Sequence, residues 1–325
     1  MSGKQKIIIF GANGGIGKYL VDYFIHNDTH DVQVIGTGRH ACSFEESDKF
    51  EYIQMDICNK ADFEKLPNDA HAVIDLAGAM PARMEGYDPE LYINTNIVGT
   101  MNVLEYCRNN GIDRIIYTQS FGDIRDKAEE NILLTPDMTA EFNYATDHSV
   151  YVVSKNTAVE LIKCYHALHG LKYFIFRLPT IYSWSKNDSY YVDGVLRKRA
   201  WRLLIDRASN GEDIEVWGDP TRLKDMVYVK DFAQMLYLSC FANKDCGYYN
   251  AGTGIGTSLE DQIKGMIEVF GDGKKSNIVY RTDKPNAPQY IMDVSNAKED
   301  LGYEPKYNYI DMLIDMKKER DLDRF

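Results

Sequence analysis

The chain has 325 residues, of which 44% are hydrophobic and 26% are charged, so it can bury a sizeable core in one large or two modest domains. Its formal net charge of −12 argues against nucleic acid or an anionic membrane as a partner, although a local basic patch could still hold an anionic ligand. Six scattered cysteines without Cys-x-x-Cys spacing indicate a reducing compartment and give no zinc pattern. No signal peptide is visible, and no apolar run reaches the ~18 residues of a membrane span, so we expect a cytosolic protein.

A glycine-rich loop directly follows the first predicted strand, 6–10, whose continuous apolar run suits a strand buried on both faces of a parallel sheet. Gly11, Gly14 and Gly17 have the spacing Gly-x-x-Gly-x-x-Gly at the point where the strand gives way to a predicted helix. Such glycines permit a tight turn and a close approach of the backbone to a pyrophosphate, which the helix N-terminus attracts. The loop predicts a dinucleotide site, with a mere turn as the alternative. The loop residues assigned to the cofactor are Gly11, Asn13, Gly14, Gly15, Ile16 and Gly17.

The second predicted strand, 32–36, lacks the acidic residue that usually ends it in dinucleotide-binding folds, where it bonds the adenosine ribose. The chain instead continues through Gly38 to Arg39. An arginine here suits a 2′-phosphate, so we favour NADP over NAD. The alternative is that Arg39 is solvated or stacks on adenine.

Two further predicted strands, 50–57 and 72–76, end in residues that suit a ligand edge. Asp56 could accept a hydrogen bond from the adenine amino group, or it could cap the following helix. After the second of these strands, the small residues Ala77 and Gly78 would let the backbone pass close to a ligand.

A long predicted helix, 89–109, and a strand, 114–118, complete this part of the chain. The helix contains the polar residue Asn96, which is either a surface residue or a buried hydrogen-bonding one. Ser120 follows the strand, at the carboxyl edge where ligands bind in open α/β sheets.

Tyr151 and Lys155 are four residues apart in an amphipathic run, 150–168, that predicts a helix, so their side chains project from the same face. An ammonium group beside a phenol favours the phenolate, which would let a tyrosine of ordinary pKa ~10 act as a general acid or base nearer neutral pH. A packed tyrosine beside a solvated lysine is the alternative, and the choice depends on the rest of the chain.

The ordered set of motifs resembles the extended short-chain dehydrogenase/reductases, specifically their nucleotide-sugar epimerase/dehydratase branch. The matching features span nearly the whole chain. They are Gly11-x-x-Gly14-x-x-Gly17, Asp56-Ile57, Leu76-Ala77-Gly78, Asn96-x-x-Gly99-Thr100, Ser120, Tyr151-x-x-x-Lys155, Arg177-Leu178-Pro179-Thr180-Ile181-Tyr182, Lys224-Asp225 with Tyr228 and Asp231, Tyr249-Asn250-Ala251-Gly252, and Asp293-Val294-Ser295 through Gly302-Tyr303.

The resemblance implies an α/β fold with a Rossmann-type doubly wound parallel sheet of about seven strands. A smaller, discontinuous C-terminal substrate domain would accompany it. We expect residues 1–180 with 225–250 to form the NAD(P)-binding domain, and residues 181–224 and 251–325 to form the substrate-binding domain.

The resemblance also implies roles for individual residues. Tyr151 would be the general acid/base, Lys155 would bind the nicotinamide ribose and lower the tyrosine pKa, and Ser120 would hydrogen-bond the reacting sugar oxygen. Beyond the glycine loop, the cofactor would contact Arg39, Asp56, Ile57, Leu76, Ala77, Gly78, Asn96, Tyr151, Lys155 and Pro179. The substrate would contact Met80, Thr180, Arg222 and Lys224.

The chain departs from the branch in several places, one of which is Ser149-Val150 before Tyr151, where the family often has Pro-Tyr. The 4,6-dehydratases carry Thr-Asp-Glu where this chain has Ser120-Phe121-Gly122, and neither Asp123 nor Asp126 restores that spacing, so we disfavour 4,6-dehydration. The polar segment 123–148 is longer than usual and is either a lid or an ordered surface loop.

The second half of the chain is predicted as strands 172–178, 214–217 and 278–281 and helices 193–210, 231–241 and 259–270. Basic residues in the first of these helices form a solvated face or reach a diphosphate. Lys224 holds the position of a family arginine that contacts the substrate diphosphate, and a lysine gives a point charge rather than a fork, so Arg222 could supply the fork instead.

The leading hypothesis is a nucleotide-sugar 4-epimerase that works through a transient 4-keto intermediate. An NADPH-dependent 4-ketoreductase of a deoxy nucleotide sugar is the close rival, and an inactive NADP-binding sensor is the third candidate. By resemblance, we expect a homodimer that pairs through helices 89–109 and 150–168.

Overall fold

The computed structural model describes residues 4–42, 44–129, 132–146, 148–186, 188–192 and 194–325. The strands of these residues are β1 (Gln5–Phe10), β2 (Val32–Gly38), β3 (Phe50–Gln54), β4 (Ala70–Asp75), β5 (Arg114–Ser120), β6 (Leu133–Leu134), β7 (Lys172–Leu178), β8 (Ser189–Val192), β9 (Val195–Lys198), β10 (Ile214–Trp217), β11 (Leu223–Asp225), β12 (Cys246–Asn250), β13 (Gly256–Ser258), β14 (Ile278–Arg281) and β15 (Ile291–Met292). The α-helices are α1 (Gly15–Asn27), α2 (Pro89–Tyr92), α3 (Thr100–Asn110), α4 (Ser149–His169), α5 (Ala200–Asn210), α6 (Val229–Phe241), α7 (Leu259–Phe270), α8 (Ser295–Leu301) and α9 (Tyr309–Leu322).

A seven-stranded sheet forms the centre of the fold, with the strand order β12-β7-β5-β4-β1-β2-β3. Every neighbouring pair in it is parallel. The order reverses between β1 and β4, which creates a crevice at the carboxyl edge of the sheet. The predicted doubly wound, Rossmann-type α/β fold is confirmed.

Helices cover both faces of this sheet, as the continuous apolar strands require. On one face, apolar side chains of α1, α6 and α8 pack against β1, β4 and β7 in a single buried cluster. On the other face, α3 and α4 pack against the alternate residues of the same strands. A third cluster joins α5, α7, α9 and β10, and it also receives Tyr19 of α1.

The structure corrects three predicted elements. The strand predicted over 50–57 ends at Gln54, because the chain turns where the Asp56 N–H donates to the Asp62 carboxylate, 2.8 Å away. The helix predicted over 89–109 is interrupted by a π-helical stretch, Ile93–Gly99. The helix predicted over 193–210 begins only at Ala200, after an antiparallel hairpin of β8 and β9. Gly194, with φ 73°, makes the turn of that hairpin, and Asp193 lies outside the described residues.

The segment 123–148 is tied to the rest of the fold in its described part. Strand β6 pairs in parallel with β15, and Leu134 packs with Ile124 and Met292 in a small buried cluster. These contacts favour the ordered surface loop over the lid.

The described ranges contain neither a membrane-spanning helix nor a cluster of metal-binding side chains. No helix there is long and apolar enough to cross a bilayer. Those ranges also contain no group of three or more His, Cys, Asp or Glu side chains that could hold a metal ion. All six cysteines are free thiols.

We predict opposite effects for two neighbouring glycines of the first loop. An added Cβ at Gly17 would lie 2.2 Å from the Gly11 carbonyl oxygen, whereas one at Gly15 would meet no atom within 4 Å. Gly17→Ala should therefore lower the free energy of unfolding by about 2–3 kcal/mol. The control Gly15→Ala should leave that free energy unchanged or raise it slightly. Urea titration measures both, and equal losses would contradict the packing described.

Candidate active site

The glycine loop lies at the crevice between β1 and β4. Gly11 adopts φ 84°, and a Cβ there would come within 2.9 Å of the Ala77 nitrogen, so only glycine fits against the end of β4. The Gly11 and Ala12 N–H groups donate to the Thr37 carbonyl, which fixes the loop to β2. The first turn of α1 contains no acidic residue, and Gly15 faces open space. This helix N-terminus can therefore receive a phosphate.

Asn13 cross-links the loop to the segment after β2. Its amide donates to the carbonyl groups of His40 and Ala41 and to the Tyr52 hydroxyl, at 3.0, 2.9 and 2.9 Å. The structure thus gives Asn13 a structural task in addition to its expected place beside the cofactor. Tyr52 was not singled out by the sequence analysis, since an aromatic residue on a strand carries no site signal.

Arg39 and Asp56 lie at the corner where an adenosine would be expected. Arg39 is exposed at the end of β2. Asp56 accepts a hydrogen bond from the Cys58 N–H at 2.9 Å. It does not cap the next helical turn, because Asn59 does so. The neighbouring Ile57 is buried beneath Gly99.

A fully buried amide, Asn96, joins the end of β4 to helix α4. Its oxygen accepts from the Ala79 N–H at 2.8 Å, and its amide nitrogen donates to the Ala79 carbonyl and to the Ser154 hydroxyl, each at 3.0 Å. Ser154 in turn donates to the Tyr151 carbonyl at 2.7 Å. Asn96 is therefore the buried residue of the two alternatives, and its side chain is used by protein atoms. Ser154 was missed, because a small polar residue on a helix is common.

The hydrogen bonds of Asn96 fix α4 so that the Tyr151 phenol and the Lys155 ammonium group lie at the exit of β4. The Tyr151 phenol faces Ser120, whose hydroxyl accepts from the Gly122 N–H at 3.1 Å. The Lys155 Nζ atom lies 4.0 Å from the Tyr117 ring centroid and 3.9 Å from the position that a Gly78 Cβ would take. Leu76, Ala77 and Gly78 thus form the wall between the glycine loop and Lys155.

Burial dominates the acid–base properties of this pair. It raises the pKa of Tyr151 to about 12, and the Ser120 hydroxyl opposes the rise. Burial also lowers the pKa of Lys155 to about 8, with the Asp75 carboxylate acting in the opposite direction. The expected lowering of the tyrosine pKa is absent from the protein alone, because loss of solvent outweighs any effect of the ammonium group.

The expected substrate residues surround two tyrosine rings. The Lys224 Nζ atom lies 5.7 Å from the Tyr182 ring centroid and 5.6 Å from the Tyr290 ring centroid. Thr180 neighbours the Tyr290 hydroxyl. Arg222, in contrast, donates to the Ala287 carbonyl at 2.6 Å. Two more expected contacts are placed at the same edge: Pro179 directly follows Leu178, the register partner of Ser120, and Met80 is 40% exposed.

Two of the basic residues predicted as a solvated face or a diphosphate contact, Arg199 and Arg202, have defined neighbours. Arg199 is half-buried beside Tyr190, 5.6 Å from its ring centroid, and burial followed by the nearby Arg83 lowers its pKa. Arg202 instead pairs with Asp188 at 3.1 Å. Arg199 and Arg83 thus lie close enough to repel each other, whereas Arg202 is paired with a carboxylate.

The buried carboxylate after β5, that of Asp123, forms an ion pair with Arg177. Asp123 receives two hydrogen bonds from the Arg177 guanidinium, at 3.1 and 3.0 Å, and one from the Gln119 amide at 3.0 Å. Asp126 is exposed and accepts from Arg125 at 3.2 Å. Neither carboxylate is presented beside Ser120 as a free acid.

We predict that Asn96→Ala destabilises the protein by about 3 kcal/mol, because it leaves the buried Ala79 N–H and C=O groups without their partner. Asn94→Ala, in the same π-helical stretch but exposed, should change stability by less than about 0.5 kcal/mol. Chemical denaturation of both variants checks this. Similar losses would show that the amide does not hold the site together.

A sequence profile described as the NAD dependent epimerase/dehydratase family matches residues 7–252. That span begins in β1 and ends after β12, so it contains the central sheet except for the first two residues of β1. It also contains the glycine loop, Asn96, Ser120 and the Tyr151–Lys155 pair.

Two relatives extend over almost the whole chain. The putative UDP-glucose 4-epimerase of Methanocaldococcus jannaschii is 27% identical over 306 residues, which cover 92% of this chain and 93% of that protein. The dTDP-glucose 4,6-dehydratase of Salmonella typhimurium is 26% identical over 331 residues, which cover 93% of this chain and 88% of that protein. Identity alone therefore does not choose between the two reactions.

Solved structures share the fold at low identity. The UDP-glucose 4-epimerase of Thermotoga maritima, solved with UDP-glucose, has a TM-score of 0.78 at 22% identity and covers 98% of this chain and 100% of its own. The UDP-glucuronic acid 4-epimerase of Bacillus cereus, in complex with NAD, has a TM-score of 0.74 at 23% identity and covers 97% of this chain and 99% of its own.

Proposed function

Because the chain belongs to the NAD dependent epimerase/dehydratase family, we propose that it is an NAD(P)-dependent enzyme that epimerises a nucleotide sugar at C4 through a transient 4-keto intermediate. One observation carries this proposal: the Tyr151 phenol faces Ser120 at the same carboxyl edge of the sheet as the open glycine loop, with Lys155 beside Gly78 between them. A proton-transfer group and a hydride carrier must meet at one sugar carbon, and this arrangement provides for both.

The residues present fit a dinucleotide. The open space at Gly15 and the acid-free N-terminus of α1 suit its pyrophosphate, and the small residues after β4 leave room for its nicotinamide half. Lys155 would donate to the ribose there, and Pro179 would line the pocket. When bound, the oxidised dinucleotide supplies a hydride acceptor and a positive charge beside the phenol.

Tyr151 would act as the general acid and base. At neutral pH its phenol holds its proton in the protein alone, since burial raises its pKa to about 12. It becomes a useful base only where positive charge favours the phenolate, and Lys155, charged below its pKa of about 8, contributes to that. Tyr151 would then take the proton of the C4 hydroxyl and later return it, while Ser120 holds the reacting oxygen.

The substrate diphosphate would bind between Tyr182, Tyr290 and the neighbouring cations. Lys224 faces both rings, and Arg199 with Arg83 adds two guanidinium groups close by. Against a net charge of −12 for the chain, this local excess of cations favours an anionic ligand. Arg222 is a weaker candidate, because its guanidinium is already drawn to the Ala287 carbonyl.

Asp123 and Arg39 bear on two rival reactions. Elimination at C5 and C6, as in a 4,6-dehydratase, needs acids beside Ser120, and the nearest buried carboxylate, Asp123, is held by Arg177. A 4-ketoreductase is the second candidate, favoured by Arg39 and by the missing acid after β2. With a 4-keto substrate, a reductase oxidises the reduced nicotinamide, so the absorbance of that cofactor falls. An epimerase interconverts two sugars with no net change in that absorbance.

Replacement of Tyr151 tests the proposed chemistry. Tyr151→Phe should reduce turnover of a nucleoside-diphosphate hexose by a factor of about 10² or more and leave the dissociation constant of the dinucleotide unchanged, because only the proton-transfer group is lost. Tyr165→Phe, on the outer part of the same helix α4, should keep full turnover. Product ratios measured by NMR and calorimetric titration give the two readouts, and unchanged turnover of Tyr151→Phe would remove the phenol from the mechanism.

The cofactor form depends on Arg39. We propose that NADP is accepted in addition to NAD, and that Arg39→Ala weakens NADP binding about tenfold, or ~1.4 kcal/mol, by removing the partner of the 2′-phosphate. NAD binding should stay within about twofold of the wild-type value. Calorimetric titration of both dinucleotides checks this. An equal loss for NAD would mean that Arg39 stacks on adenine instead.

A further inference from the structure

Four polar side chains are enclosed beneath the proposed active site, between the central sheet and helices α3 and α4. Asp75 ends β4, Thr100 begins α3, Tyr117 lies on β5 and Lys155 on α4, and they are 0%, 0%, 0% and 5% exposed. Asp75 and Tyr117 are register partners on neighbouring strands. The layer around them is otherwise apolar. A carboxylate is costly to bury in such a layer unless a positive charge or hydrogen bonds compensate it.

The contacts of Asp75 fix its carboxylate but do not neutralise it. One oxygen accepts from the Ala77 N–H at 3.1 Å, and the other accepts from the Thr100 hydroxyl at 3.3 Å. Both donors are uncharged. The positive group in this pocket is the Lys155 ammonium, which lies over the Tyr117 ring.

The two charges influence each other's protonation. Burial raises the pKa of Asp75 to about 6, with Lys155 first among the groups that oppose the rise. Burial lowers the pKa of Lys155 to about 8, and Asp75 opposes that fall. Near neutral pH both groups are therefore charged. Without the carboxylate, only desolvation would act on the lysine, and its ammonium group would lose its proton more easily.

The other groups that face Asp75 carry no charge that could replace that of Lys155. On β1, its register partner is Phe10, which does not titrate. On α3, burial raises the pKa of the Cys107 thiol, which stays neutral. On β5 and α4, burial raises the pKa values of Tyr117 and Tyr151, so both phenols stay neutral as well.

We propose that Asp75 is a positioning residue that holds Lys155 in its charged form and directs the ammonium group to the pocket beside Gly78. It does so through Lys155 and touches neither substrate nor cofactor. The proposal rests on the proposed function only for the identity of the ligand that Lys155 meets, which is the ribose of a dinucleotide. Its physical core, a buried carboxylate that sets the charge of one lysine, is independent of any turnover.

Asp75→Asn is the sharpest test, since asparagine keeps the shape and can still accept from the Ala77 N–H but carries no charge. The first readout is the titration of the Lys155 amine by nitrogen NMR, with Lys155→Met to assign the signal. We expect its midpoint to fall by about one pH unit or more. The second readout is the pH at which the affinity for added NAD begins to decline, which should fall by the same amount.

Asp231→Asn is the matched control. Asp231 is also a buried carboxyl group whose pKa burial raises to about 6, but it accepts from the Lys306 and Tyr307 N–H groups, away from the proposed site. It should leave the Lys155 midpoint in place. If Asp75→Asn does not fold, Asp75→Ser, which also removes the charge but leaves a smaller polar side chain, should lower the midpoint in the same direction.

Each outcome decides the proposal. An unmoved Lys155 midpoint in Asp75→Asn, or in Asp75→Ser if only that variant folds, overturns it, and so does an equal shift in Asp231→Asn. A shifted midpoint in a protein that binds no dinucleotide supports the coupling of Asp75 and Lys155 while removing the proposed function. A shifted midpoint together with a shifted affinity profile supports both.

Discussion

The hydrogen bonds of one buried amide determine where the proposed chemistry can take place. Asn96 binds the backbone of Ala79 on one side and the Ser154 hydroxyl on the other, so the exit of β4 and the middle of α4 are fixed together. The π-helical stretch that carries Asn96 explains how an amide in a helix reaches inward, and such stretches often occur at functional sites. Because α4 is held in this way, Tyr151 faces Ser120 and Lys155 reaches Gly78.

The candidate site is rich in positive charge, although the net charge of the chain is negative. The chain is strongly acidic, yet the described cleft combines the acid-free N-terminus of α1 with Lys155, Lys224 and Arg199. Burial raises the pKa of the Tyr151 phenol and lowers the pKa of the Lys155 ammonium group. The buried Asp75 carboxylate offsets part of the fall in the Lys155 pKa. These charges favour an anionic ligand, as the proposed dinucleotide would be.

The central sheet and the glycine loop could be predicted from sequence because their signals are local. Continuous apolar runs mark strands buried on both faces, and a glycine spacing at a strand–helix junction marks a phosphate site. The second strand of the hairpin before α5, Val195–Lys198, was wrongly included in a predicted helix, because the turn that joins it to β8 depends on the conformation of Gly194 and has no pattern in the sequence. Asp75 could not be recognised either, because burial of a charge is decided by the elements that pack over it. For the same reason, the direction of the tyrosine pKa shift required the packed structure.

A crystal structure of the protein with a bound dinucleotide and a nucleotide sugar would test the central claim most directly. The claim predicts that the Tyr151 hydroxyl lies within hydrogen-bond distance of the sugar O4 atom, with the nicotinamide ring against Gly78 and the same sugar carbon. A dinucleotide bound at the glycine loop with its nicotinamide on the far side of the sheet from Tyr151 would contradict it, and the chain would then be a binding scaffold rather than an enzyme of this kind.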